Sequence, residues 1–100
     1  MADTVAEFGR RLNVRVAKTL ALGDDFIVLL DYCQAPRENL FRLRADGSVV
    51  WTISQPPAMG AVVDVQWRYG RHPLTAWTFG CYMITLDEST GIILESEFTK

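Results

Sequence analysis

The chain predicts an all-β domain: two antiparallel meanders, about eight short strands in all, packed as a sandwich or a partial barrel with a blade-like outline. Three observations predict it. The segment Asn-Leu-Phe-Arg-Leu-Arg-Ala-Asp-Gly-Ser-Val-Val-Trp-Thr-Ile at 39–53 is echoed by Tyr-Met-Ile-Thr-Leu-Asp-Glu-Ser-Thr-Gly-Ile-Ile-Leu-Glu-Ser at 82–96. Each copy is an alternating strand, an acidic turn closed by glycine and a second strand rich in β-branched residues, and a recurring unit points to one architecture built twice. Apolar residues recur with period two through most of the chain, and no central segment is long and periodic enough for a crossover helix, so the sheets are antiparallel.

The elements follow in order. Val5, Phe8 and Leu12 stand at helical spacing, so residues 1–12 read as a short helix or an arm, with Gly9 weakening the helix. From Asn13 the period changes to two, and Gly23-Asp24-Asp25 is a turn. Phe26 to Leu30 is apolar at every position, which requires both faces of that strand to be covered and marks it as the most buried. A loop with Pro36 leads to the first repeated hairpin, where Phe41 and Leu43 oppose Arg42 and Arg44. Val49, Trp51 and Ile53 return with core-facing parity, and Pro56-Pro57 ends the first meander, 13–54. The second meander, 62–98, opens with Val63, Val65, Trp67 and Tyr69 alternating with Asp64, Gln66 and Arg68. It breaks at 70–73, bends at Gly80 and turns again at 87–91 before Ile92 to Phe98 closes the chain.

One hundred residues make one domain, and 49% hydrophobic with 11% aromatic residues suffice for a core. A charged fraction of 22% argues against disorder, and a net charge of -2 argues against nucleic acid as a partner, which demands a concentrated basic face. Arg10, Arg11, Arg15 and Lys18 are a local exception, read as a solvated strand edge. Cys33 and Cys81 fit no zinc or redox spacing and read as buried thiols. No signal segment or membrane span is visible, so the expectation is a cytoplasmic protein with no membrane partner.

The repeat resembles that of quinoprotein-type, or PQQ-like, β-propellers: an aromatic, a leucine, an aspartate, often Thr-Gly, aliphatics and then tryptophan. Asn39 to Trp51 carries most of this, and Met83 to Leu94 carries it with Thr90-Gly91 in place but Glu95 where tryptophan would stand. In that family the tryptophans dock one blade on the next, so the resemblance implies the same role for Trp51. It covers about a third of the chain and implies no quinone, since the cofactor-binding positions cannot be placed here. A closed propeller needs four or more blades. Two meanders must therefore bury their remaining faces on each other or in an oligomer, such as a homodimer.

No catalytic residues or metal ligands are assigned from the sequence, and no cofactor is called. His72 lies in a turn and lacks a nucleophile elbow beside it. Asp24, Asp25 and Asp31 read as turn formers, although a metal or paired-carboxylate site would recruit Asp64. The best candidate is the aromatic segment around 70–73: Trp67, Tyr69, Trp77 and Phe79, with Arg68 and Arg71 between them. Aromatics at alternate strand positions usually point inward; left exposed beside arginine they have the composition of a protein-binding hot spot. The expected function is a non-catalytic module that binds a protein partner or itself, for example an immunity protein, an inhibitor or an accessory subunit. Two alternatives stand beside it: a small-molecule site lined by Trp67, Tyr69 and Trp77 between the sheets, and a small hydrolase or metal enzyme.

Overall fold

A computed structural model describes residues 2–55, 57–68 and 71–99. Helix α1 (Ala2–Leu12) precedes eight antiparallel strands in two four-stranded sheets. Sheet A takes β1 (Val16–Leu22), β2 (Asp25–Leu30), β3 (Leu40–Leu43) and β4 (Val49–Thr52) in sequential order. Sheet B takes β5 (Val62–Arg68), β6 (Arg71–Thr78), β7 (Tyr82–Leu86) and β8 (Ile93–Phe98) likewise. The two meanders and the short helix match the expectation from sequence, and the strands form no closed barrel.

Sheet A is the middle of three layers, which explains why β2 is apolar from Phe26 to Leu30. Val28 and Leu30 join Val5 and Phe8 of α1 in an outer cluster, while Ile27 and Leu29 enter the core between the sheets. All four β2 residues are buried. The helix ends at Asn13, whose φ of 55° permits the reversal. The Val14 N–H reaches back to the Gly9 carbonyl at 3.0 Å, the closing bond of a helix C-cap. Gly9 is required by this packing: a Cβ there would lie 3.0 Å from both the Val14 oxygen and the Val16 side chain. The glycine that weakens the helical reading is thus what lets the helix lie down on the sheet.

Strict alternation misassigns several side chains because bulges interrupt the ladders, three of them at positions that matter for the core. The register shifts between Val16 and Lys18, so Val16 packs under α1 whereas Leu20 and Leu22 face sheet B. A second shift places Leu43 opposite Val49 and Arg42 opposite Trp51. Val49 therefore falls on the outer face, 46% exposed, while Trp51 and Ile53 are buried. A third, at Val63, exposes that residue and buries Val62 and Val65 instead. Each extra residue turns the following side chains to the opposite face.

The sheets meet through Ile27, Leu29, Leu40, Trp51 and Ile53 on one side and Val62, Val65, Leu74, Ile84 and Leu86 on the other. Fully buried Asn39 clamps them: its Nδ2 donates to the carbonyls of Leu30 and Val62 at 2.9 and 2.8 Å, and its Oδ1 accepts from the Val62 N–H at 3.0 Å. At the far side the Trp51 ring lies on Gly91, so close that a Cβ would stand 2.6 Å from the indole. Gly91 also holds a φ of 76°, so it is fixed on two counts. Trp51 Nε1 and Arg42 Nη1 both donate to the Glu88 carbonyl, at 2.7 and 2.8 Å. Arg42 is oriented for this by Asp25, whose Oδ2 lies 2.8 Å from Nη2.

Candidate interaction surface

The aromatic segment singled out in the sequence is divided by the fold. Trp67 opposes Leu74 in the ladder and packs, half-buried, against the core between the sheets. Trp77 opposes Asp64 and Met83 and shares their face, the outer one. Phe79 sits in the β6–β7 turn, at the end of β6 remote from Arg68, where it is 66% exposed and its ring contacts Tyr32 at 5.7 Å. Arg68 is exposed beside Trp67. Tyr69 and the side chain of Arg71 lie outside the described residues, as does the side chain of His72. The two tryptophans point to opposite sides of the same sheet and the space between the sheets is filled by the core, but both border a groove on the outer face of sheet B.

The outer face of sheet B is ordered in rows across the strands. Gln66, Thr75, Thr85 and Glu95 form one row; Asp64, Trp77, Met83 and Glu97 form the next. A groove of about 200 Å3 opens over them. Gln66, Arg68, Thr75 and Thr85 line it, with Trp67, Trp77 and Met83 as its apolar members. Thr75 and Thr85 are buried beneath the flanking side chains. The Thr75 Oγ1 has no hydrogen-bond partner among the described residues, leaving a polar atom in the groove floor. Among the described residues no helix covers this face, in contrast to the outer face of sheet A.

Three of the carboxylates considered as metal ligands are each held by a different cation. Asp25 pairs with Arg42, Asp31 with Arg15 at 3.1 Å and Asp64 with Lys18 at 3.0 Å. Among the described residues no three His, Cys, Asp or Glu side chains group closely enough to hold a metal ion. The Cys33 backbone N–H, helped by Arg15, holds the Asp31 carboxyl below its ordinary 3.8 against the opposing effect of burial. In the first repeated hairpin the Ser48 hydroxyl and N–H do the same for Asp46. Burial pushes Asp64 up, but hydrogen bonds from Lys18 and Gln66 outweigh it and leave the carboxyl below 3.8. Arg10 and Arg11 occupy the last turn of α1, where cations complement the helix dipole, so the basic run is spread over helix and strand. Cys33 and Cys81 are free and exposed, correcting the expectation of buried thiols: both stand in loops, off the strands that fill the core.

Sequence reasoning missed Met83, Thr75 and Thr85 as partners of Trp77. The signal was available, since the rows follow once β6 and β7 are aligned about the bend at Gly80. No helix among the described residues is long and apolar enough to cross a membrane. No curated protein and no solved structure matches the chain. Residues 5–98 match the family described as a domain of unknown function, DUF7957, and the chain therefore belongs to that family.

Proposed function

We propose that this protein is a non-catalytic interaction module of the cytoplasm whose contact surface is the outer face of sheet B. One observation carries the reading. Two sheets of matching design have unequal cover: α1 lies on the outer side of sheet A, while the equivalent side of sheet B presents Trp77 and Met83 over a groove. Aromatic side chains and methionine are enriched where proteins bind one another, and Trp77 is rigid enough to anchor a partner at little entropic cost. The exposed thiols fit a reducing compartment. The likeness to quinoprotein repeats contributes nothing to this reading.

The test is affinity capture from a lysate of the source organism with the wild-type chain, Trp77→Ala and Met83→Ala, alongside their thermal midpoints. Loss of the captured protein with midpoints held within a few degrees supports the reading. Identical capture by all three chains overturns it. The groove also offers a small molecule an aromatic wall, so a metabolite thermal-shift screen that stabilises the wild type but not Trp77→Ala favours that second reading.

A further inference from the structure

Each sheet has two edges, and among the described residues β8 is the longest open one. β1 and β5 lie against each other, bridged by Lys18 and Asp64. β4 is four residues long and broken by the bulge at Val50. β8 ends the order of sheet B, and among the described residues no strand lies beyond it. It is pinned at both ends. The Ile92 carbonyl accepts from the Asp87 N–H at 3.0 Å, and the Thr99 N–H and hydroxyl donate to the Cys81 carbonyl at 2.7 and 2.9 Å. Past the bulge at Leu94 the strand pairs regularly from Glu95 to Phe98. An antiparallel ladder leaves alternate residues of such a strand with N–H and C=O directed outward.

The side chains define what can pair there. Glu95 and Glu97 extend the outer rows, while Phe98, 57% exposed, lies on the other face against Tyr82 at 5.4 Å. A second copy is the obvious occupant, and charge disfavours it. Residues directly opposite in an antiparallel pair share a face, and a two-fold axis normal to the sheet keeps the faces matched. Every central register therefore sets Glu95 or Glu97 against a glutamate of the other copy, and like charges directly opposed destabilise the pair. A strand with cations at alternate positions meets the same two glutamates favourably.

The geometry points to β8 as an edge that accepts an extended, alternately basic and apolar segment of another protein as a fifth strand of sheet B. The inference rests on the reading of sheet B as a contact surface and adds the partner's conformation and charge pattern.

The probe is a labelled synthetic peptide of residues 92–99 carrying E95K and E97K, compared with the unmodified peptide, each titrated against the full chain. Aligned about Ser96, the altered peptide sets its two cations opposite Glu97 and Glu95. It is expected to bind roughly tenfold more tightly than the unmodified one, with that preference collapsing in high salt and the amide shifts of the protein concentrated in Ile93 to Phe98. The full chain carrying E95K and E97K should reverse the preference. Equal binding of the two peptides, tighter binding of the unmodified one, binding by neither, or shifts centred on Trp77 each overturn the inference. The contact-surface reading is judged separately by Trp77→Ala capture, so either can fail alone.

Discussion

The two sheets of this protein share strand number, order and hairpin design, yet their outer faces have gone different ways. In sheet A the outward residues Val28, Leu30 and Leu43 are apolar and need a cover, which Val5 and Phe8 of α1 supply. In sheet B the corresponding rows hold Gln66, Thr75, Thr85 and Glu95, polar enough to tolerate water, with Trp77 and Met83 set among them. A face that is wholly apolar must be buried within the fold. A mostly polar face with one aromatic anchor can stay open and still bind. The contrast teaches that two sheets of matching design can differ in cover when only one of them is roofed by a helix.

The sharpest way to break this comparison is to strip the cover. Phe8→Ala should cost about 4 kcal/mol, since it leaves a cavity over Val28 and removes the edge-to-face contact with Phe41. Chemical denaturation measures it, and a loss near that of a surface substitution would mean that α1 is dispensable. Next comes the clamp between the sheets. Asn39→Ala should cost about 3 kcal/mol, because the Leu30 and Val62 carbonyls and the Val62 N–H are all left buried and unpaired. A normal midpoint for this variant would show that the sheets do not depend on one another there.

The tryptophans give a smaller, paired effect. Trp67→Ala should cost about 2 kcal/mol, less than a fully buried tryptophan, whereas Trp77→Ala should cost about 1 kcal/mol or less. Equal losses would mean that the outer face of sheet B is part of the core. The smallest effect concerns pH. Asp31, Asp46 and Asp64 all have folded-state values below 3.8, so their contribution is complete above the unfolded value and disappears as pH falls through the folded ones. Thermal midpoints should therefore be level near neutrality and decline below about pH 4, the ordinary range of aspartate. Lys18→Ala should make that decline shallower by removing the partner of Asp64; an unchanged slope would assign no role to this clip between the sheets.

Much of the architecture was legible in the residues. The apolar run from Phe26 to Leu30 announced a middle layer, and the Asp-Gly and Thr-Gly turns placed both hairpins. What escaped was the side of the sheet on which particular residues fall. Val49 and Val63 carry the parity of core positions, but bulges at Val50 and Val63 reset it, and a bulge has no reliable signature in a run of valines. For the same reason the aromatic segment around 70–73 looked like one cluster, whereas the pairing of β5 with β6 sends Trp67 inward and Trp77 outward.

The sequence by itself determined the local choices: where strands run and where they turn. Those choices are matters of backbone conformation and short-range pattern. Which of two similar sheets is roofed by a helix, and which face of the other remains open beside an unpaired edge, was decided only when distant segments met. That outcome depends on register and bulges, which shift whole faces at small local cost and become visible only in the assembled sheets.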